Sequence, residues 1–298
     1  MFKHAKPLFL YAETSLHVGS GQSLGAVDLA IQRERHTQFP VIPGSGLKGA
    51  LRHWFFSSFE SMEDELSAIF GPDTDNAGSH AGAVAFTDAR LLLFPMRAMK
   101  GVMAWVTCPT VLQRLKRDLA ASETAISWDV PEIASGTALH ASSSAVTIEA
   151  RVVLDEHVFT AKQDDTVDTI ADFLAKTALP ATDEYAFFRE RLARHLLVLP
   201  DDAFRDFTQQ ATEVQARIKI DDDTGTTSGQ HGHLFYQENL PPESVLYALV
   251  LAHDDLSGAL ADGSAEELLG YVQSVDHQRV QIGGDASTGK GIMCMHFA

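Results

Sequence analysis

The chain has 298 residues, 45% of them hydrophobic, which is enough for a sizeable core and too much for a disordered chain. No apolar run reaches the roughly 18 residues of a spanning helix, and Met1-Phe2-Lys3-His4-Ala5-Lys6-Pro7 lacks the apolar core and cleavage site of a signal peptide; the expectation is a cytoplasmic protein with no membrane partner. A net charge of −17 argues against nucleic-acid binding through bulk charge.

Residues 7–18 read as a strand, with Leu8, Leu10, Ala12, Thr14, Leu16 and Val18 on one face. Residues 19–44 are loop-like, punctuated by Gly and Pro. Residues 45–59 read as a helix with Ser45 as its N-cap and an apolar stripe of Leu47, Ala50, Leu51, Trp54 and Phe55. A polar, glycine-rich loop covers 71–82. Strands are expected at 84–95 and 102–107, then a helix opened by Pro109. Residues 121–148 are small, polar and Ser-rich, and read as an irregular insertion. An extended segment at 146–159 precedes helices at 166–176 and 183–195, a short strand at 196–199 and a helix at 201–212.

Residues 214–240 form a distinct unit. Val214-Gln215-Ala216-Arg217-Ile218-Lys219-Ile220 alternates like a strand, a turn follows, and His233-Leu234-Phe235-Tyr236 returns, which makes a long hairpin. A strand at 245–253, a helix at 265–274 and strands at 279–282 and 292–297 close the chain. No linker divides it, so 1–298 is expected to be one α+β domain with insertions near 71–82, 121–148 and 214–240.

Charge is unevenly distributed. Residues 29–59 carry Arg33, Arg35, Lys48 and Arg52 against Glu34 alone, which allows a basic groove on an acidic body. The helix after Pro43-Gly44-Ser45-Gly46 offers free N–H groups and its dipole to an anion, and Lys48 and Arg52 beside it suit phosphate. Asp28 sits on the preceding loop. Alone it is a solvated loop residue or a cap. Beside a phosphodiester it can hold hydrated Mg²⁺ or orient a 2′-hydroxyl. His17, at a strand end, is either a packed histidine or a second general acid or base.

Gly284-Asp285-Ala286-Ser287-Thr288-Gly289-Lys290 fits the first seven positions of a P-loop. The next position must be Ser or Thr and is Gly291, and a strand rather than a helix follows, so nucleotide binding is not expected. The loop is either a tight turn or a cradle of N–H groups for backbone phosphate. Cys108 and Cys294 are far apart and read as reduced core thiols. His231 and His233 form a weak candidate metal pair, because no third ligand lies near in sequence.

Taken together, Leu16-His17-Val18-Gly19-Ser20-Gly21, Leu24-Gly25-Ala26-Val27-Asp28, Gln32-Arg33-Glu34-Arg35-His36-Thr37 and Phe39-Pro40-Val41-Ile42-Pro43-Gly44-Ser45-Gly46-Leu47-Lys48-Gly49 resemble the RAMP superfamily of CRISPR RNA-binding proteins. The Gln32-Arg33-Glu34-Arg35-His36-Thr37 stretch particularly resembles the backbone subunit of type III-B (Cmr) effectors. The hairpin and the glycine loop extend the resemblance over the whole chain.

The resemblance implies a modified ferredoxin-like (RRM-like) palm with inserted fingers and a thumb hairpin. It implies copies of the chain stacked in a filament along a guide RNA, other Cmr-type subunits, and single-stranded target RNA cut at regular intervals. Asp28 matches the family's catalytic, divalent-metal-dependent aspartate, with Mg²⁺ the expected ion and His17 a candidate partner. Arg33, Arg35, Ser45, Lys48, Arg52, Arg217, Lys219, Gly283, Gly284, Gly289, Lys290 and Gly291 are the expected RNA-binding set. The negative tip, Asp221-Asp222-Asp223, departs from what an RNA-touching thumb should be, which moves the contact to Arg217 and Lys219. Two other functions stay open: a non-catalytic guide-binding scaffold, and a stand-alone RNA-processing endonuclease.

Overall fold

The computed structural model describes residues 2–22, 25–59, 62–76, 78–122, 124–218, 223, 225, 234–258, 260 and 263–298. In chain order the first elements are β1 (His4–Ala12), β2 (Gly19–Gln22), β3 (Leu29–Ile31), β4 (Val41–Ile42), α1 (Gly44–Ser58), α2 (Glu63–Phe70), β5 (Val84–Phe86) and β6 (Ala89–Ala98). The middle of the chain forms β7 (Val102–Thr107), α3 (Pro109–Ala120), β8 (Thr137–His140), β9 (Arg151–Leu154), β10 (His157–Gln163), α4 (Asp165–Thr177), α5 (Ala186–His195), β11 (Leu196–Val198) and α6 (Asp201–Gln210). The last elements are β12 (Glu213–Arg217), β13 (Phe235–Asn239), β14 (Val245–Ala252), α7 (Ala265–Gln273), β15 (Arg279–Gln281) and β16 (Ile292–Phe297).

Four strands and two helices make the palm. β1, α1, β6, β14, α7 and β16 follow one another as βαββαβ, and the strands lie side by side as β16-β1-β14-β6, all antiparallel. That is the order of a ferredoxin-like unit. β1 is central, and Leu8, Phe9, Leu10, Tyr11 and Ala12 are all buried. The expected polar face is therefore absent there. With strands on both edges and cover on both faces, this stretch reads as a continuous apolar run rather than an alternation.

The chain between β6 and β14 builds the rest. The second half of β6 pairs with β7, and the order then runs β7-β11-β8-β10-β9. β9 returns to β6 through Ala98 and Leu154, so the sheet curls back on itself. β8 lies inside the stretch expected to be irregular. Its four residues pair with β10, and Leu139 and His140 also pair with β11, which decides their conformation where a short local signal does not.

A separate four-stranded sheet, β12-β13-β3-β2, carries the hairpin. β12 and β13 pair antiparallel as expected, from Glu213 opposite Asn239 to Arg217 opposite Phe235. β2 and β3 form within the segment expected to be loop. β3 runs parallel to β13 with Leu29 opposite Gln237, and this pairing brings the residues around Asp28 to the base of the hairpin.

α1 buries Leu47, Leu51 and Phe55, three residues of the expected stripe. It starts one residue earlier than expected, at Gly44 after Pro43, and Ser45 is not its cap. Asp88 does that work, its Oδ1 accepting the Gly44 N–H at 2.7 Å. A Cβ at Gly44 would stand 2.4 Å from the Phe86 carbonyl oxygen, so only glycine lets the helix start against β5.

Candidate RNA-binding and cleavage site

β13 holds the site together, and four consecutive residues each anchor one part of it. The Tyr236 N–H donates to Asp28 Oδ2 at 2.8 Å. The Gln237 amide donates to the Asp285 carboxylate. The Glu238 carbonyl lies 2.7 Å from His17 Nδ1. Asn239 Oδ1 accepts from Lys290 Nζ at 2.8 Å. Residues on one strand are spaced by about 3.3 Å. The loop aspartate, the strand-end histidine and the glycine loop are thus set against one another within a few residues of backbone.

Asp28 is exposed, and its second oxygen has no protein partner among the described residues. His17 is different. It is only 9% exposed, and a Cβ at Gly19 would sit 2.8 Å from its Nε2. Its carbonyl accepts the Gly284 N–H at 2.8 Å. A Cβ at Gly283, whose φ is +80°, would stand 2.3 Å from that same carbonyl oxygen. His17 therefore lies beneath the glycine loop and supports it, rather than facing solvent beside Asp28.

The glycine loop is held from below by charge. Arg217 makes a two-pronged pair with Asp285 at 3.2 and 3.1 Å. Burial pushes the Asp285 carboxyl up, but the Gln237 amide and the Arg217, His17 and Lys290 charges together hold it below the usual carboxylate range. Lys290 is buried, with Nζ donating to Gln215 at 2.7 Å as well as to Asn239. Burial and then the nearby Arg217 charge lower its pKa. The N–H groups of Ala286 and Ser287, by contrast, have no acceptor among the described residues, and both residues are exposed. The loop presents N–H groups outward and keeps its lysine inside.

Several cations of the expected RNA-binding set bond to groups of the protein itself. Arg33 donates to the Gln38 carbonyl at 2.8 Å, to the Thr208 carbonyl at 2.9 Å and to the Glu238 carboxylate. Its side chain is 15% exposed and that of Glu238 8%. Glu238 also accepts from the Ile31 N–H and the Thr212 hydroxyl, so the pair is satisfied on several sides. Arg33 therefore pins β3 and α6 to β13. Lys290 and Arg217 likewise each have an internal partner.

The α1 group forms a second cluster. Lys48 Nζ donates to the Val84 carbonyl at 2.8 Å, and burial followed by the Arg52 charge lowers its pKa. Arg52 donates to the Gly71 carbonyl at 2.7 Å and to Asp73 at 3.0 Å, and lies over the Phe56 ring. Both side chains fasten α1 to the 71–88 segment. Ser45 is exposed, and the N–H groups of Ser45 and Gly46 have no acceptor among the described residues, which leaves part of the helix start open to an anion. Arg35 is exposed and its guanidinium has no partner there either. Lys219, His231 and His233, with Asp221 and Asp222, lie outside the described residues.

The anchors Gln215, Tyr236, Gln237, Glu238, Asn239 and Asp285 were not singled out from sequence. The signal was the polar run Gln237-Glu238-Asn239 inside a strand: side chains that cannot pack apolar neighbours must be bonding something. One exposed carboxylate does not make a protein cage for a metal. It does suit a hydrated Mg²⁺, which keeps several waters and takes one or two carboxylates plus substrate phosphates.

A family model of the RAMP superfamily matches residues 9–294. The chain is 37% identical over 288 residues to the CRISPR system Cmr endoribonuclease Cmr4 of Pyrococcus furiosus, covering 95% of this chain and 92% of that protein. The crystal structure of oligomeric Cmr4 from Pyrococcus furiosus matches with a TM-score of 0.75 at 30% identity, over 99% of this chain and 98% of that one. A chain of the type III-B Cmr-beta complex bound to cognate target RNA shares the fold, with a TM-score of 0.74 at 22% identity over 99% and 98% of the two chains. A palm of ferredoxin-like order, a hairpin clasped to a glycine loop and these likenesses agree: the chain belongs to the RAMP superfamily, and within it to the Cmr4 family.

Proposed function

We propose that this protein is the repeated backbone subunit of a type III-B CRISPR effector, that it binds guide RNA, and that it cuts complementary target RNA at regular intervals with Asp28. The observation that carries the reading is the exposed Asp28 carboxylate, positioned by the Tyr236 N–H, with its other oxygen unbonded among the described residues. The likeness to an endoribonuclease over most of the chain supports RNA cleavage. The oligomeric state of the Pyrococcus Cmr4 crystal supports stacking of copies.

Sequence recognition is delegated to base pairing between guide and target, while the protein reads backbone and shape. Exposed N–H groups at Ser45, Gly46, Ala286 and Ser287, with Arg35, take the backbone phosphates. Gly283, Gly284, Gly289 and Gly291 shape the loop. Lys48, Arg52, Arg33, Arg217 and Lys290 set the positions of these donors from within.

For cleavage, distortion of the target strand beside the hairpin aligns a 2′-oxygen with its phosphorus and the leaving 5′-oxygen, and alignment of this kind contributes several kcal/mol. Asp28 accepts the 2′-hydroxyl proton. The 2′-oxygen bonds to phosphorus as the P–O5′ bond breaks, and the leaving 5′-oxygen takes a proton from water, giving a 2′,3′-cyclic phosphate on one fragment and a 5′-hydroxyl on the other. Asp28 is the residue that would hold a hydrated Mg²⁺, which would supply charge stabilisation at the phosphate. His17 acts as a positioning residue through the glycine loop above it.

The test is cleavage of a guide-complementary RNA by the reconstituted complex, wild type against Asp28→Ala, with Mg²⁺ and with chelator. A ladder of evenly spaced products that vanishes in the variant, while target binding persists, assigns the chemistry to Asp28. An unchanged ladder makes the chain a guide-binding scaffold. Cleavage by the isolated chain of a hairpin RNA makes it a processing enzyme, and fragments with 3′-hydroxyl and 5′-phosphate ends rule out the 2′-oxygen route.

A further inference from the structure

A second cluster of chemistry-bearing side chains lies on the outer strands of the palm and shares no residue with the RNA site. Asp276 and His277 follow α7, and His296 is on β16. His296 Nδ1 lies 3.1 Å from Asp276 Oδ1. His277 Nε2 lies 3.5 Å from Asp276 Oδ2. The two imidazole rings stack, with centroids 5.0 Å apart and planes 16° from parallel. One donor atom from each of the three residues falls within 4.8 Å of the others, and among the described residues no other group of three or more His, Cys, Asp or Glu side chains does so.

The backbone fixes this arrangement. Asp276 Oδ1 accepts the Phe297 N–H at 2.9 Å, which ties the carboxylate to the end of β16. The His277 N–H donates to the Met295 carbonyl at 2.7 Å, and His277 has a φ of +61°. The His277 ring has no ordinary hydrogen bond among the described residues. Its Nδ1 is buried without a partner, and at 3.5 Å its Nε2 is too far from Asp276 for a good one. A histidine held in this way, with no bond to show for it, is placed for something else.

The spacing says what. A tetrahedral ion with bonds of roughly 2.0–2.2 Å sets neighbouring ligand atoms about 3.3 Å apart. The two imidazole-to-carboxylate separations, 3.1 Å to Oδ1 and 3.5 Å to Oδ2 of Asp276, lie on either side of that value, and one donor atom of each residue lies within 4.8 Å of the others. We propose that Asp276, His277 and His296 bind one divalent transition-metal ion of the zinc class. Two imidazoles and a carboxylate suit such an ion and leave a fourth position for water. They do not suit Mg²⁺ or Ca²⁺, which take oxygen ligands.

Ligation requires neutral imidazole. Burial holds His296 below the usual imidazole range, and this outweighs the opposing pull of Asp276. The ion replaces the hydrogen bond between His296 Nδ1 and Asp276, and the neutral ring keeps its one proton on Nε2. Arg189 is the nearby charge that opposes a cation. Its guanidinium is turned onto the Pro180 and Thr182 carbonyls. Bound there, the ion clamps the turn after α7 to β16. β16 pairs with β15, and these two strands carry the glycine loop between them.

The test is a titration of the full-length, chelator-treated chain with Zn²⁺ alone, read by calorimetry, and with Co²⁺ alone, read by its visible ligand-field bands. The expected result is one ion per chain, with tetrahedral-type bands for cobalt, and a melting temperature that rises with zinc concentration. His277→Asn should weaken zinc binding by at least about tenfold, because asparagine tolerates positive φ but supplies no imidazole. His296→Gln and Asp276→Asn should act in the same direction, checked for folding by circular dichroism. Because His296 is buried, the partly exposed His277 decides the matter if the other variants do not fold. Zinc binding far below one equivalent, or unchanged zinc binding by His277→Asn, overturns the proposal.

Discussion

Asp28 and Tyr236 are joined by a hydrogen bond of 2.8 Å from a backbone N–H to a carboxylate, across 208 positions of sequence. The carboxylate is therefore placed by the hairpin and not by its own loop. Asp28→Asn keeps an oxygen to accept that bond and removes the charge. The expected outcome is target binding equal to wild type and cleavage slower by about 10²–10⁴-fold, the usual range for a missing general base. Asp28→Ala should lose cleavage to the same extent and loosen the hairpin base as well. Rates at saturating complex, beside filter-binding affinities for the same RNA, separate the two effects. Wild-type rates in the Asn variant would sink the assignment.

The glycine loop gives a paired prediction. Gly283→Ala places a Cβ 2.3 Å from the His17 carbonyl oxygen, at a φ of +80°, so backbone must move and the Gly284–His17 bond must go with it. Gly289→Ala meets nothing within 4 Å and suffers only from its φ of +76°, a cost on the order of 1 kcal/mol. Melting curves should therefore show a small shift for Gly289→Ala and a large one for Gly283→Ala. Guide-RNA affinity should fall for Gly283→Ala more than for Gly289→Ala.

Arg33 and Glu238 form a buried pair, and its removal is asymmetric. Glu238→Ala leaves the guanidinium without its counter-charge and also strips acceptors from Ile31 and Thr212. The expected loss is about 3–5 kcal/mol, measured by denaturant unfolding. Arg33→Met combined with Glu238→Met should recover part of it, because apolar replacement of both partners removes the uncompensated charge. If Arg33 were free to bind RNA, Arg33→Met alone would change affinity and leave stability untouched.

The helices and most strands of this fold follow from local pattern, as in α3, whose opening proline and buried Val111, Leu112, Leu115 and Leu119 keep helical spacing. The residue types of the site were equally visible: a lone aspartate, a basic segment, a glycine loop. What sequence does not reveal is which cation is free. Arg33 finds Glu238 across 205 positions, Lys290 finds Asn239 across 51, and Arg217 finds Asp285 across 68. No local rule carries such pairings. β8 was missed for the same reason, since Thr137–His140 is a strand only because β10 and β11 lie on its two sides. The Ser45 cap failed because Asp88, 44 residues from Gly44, reaches the helix start first.

Glu243 yields a pH prediction whose sign is fixed by burial. Its carboxyl is pushed up to about 7 by desolvation, and its Oε2 is buried without a partner among the described residues. The folded chain thus holds a proton that the unfolded chain gives up near the ordinary glutamate value of about 4.3. Stability from this group is complete below that value and is lost as pH rises to about 7, because between the two the folded state binds more protons. Glu243→Gln mimics the protonated form. The variant should match wild type at pH 5 and exceed it at pH 8 by about 1–2 kcal/mol, a figure kept below the full shift because the side chain is partly exposed. Urea unfolding of both proteins at the two pH values measures the difference directly. A gap of equal size at pH 5 and pH 8 would mean that the carboxylate is not titrating between them.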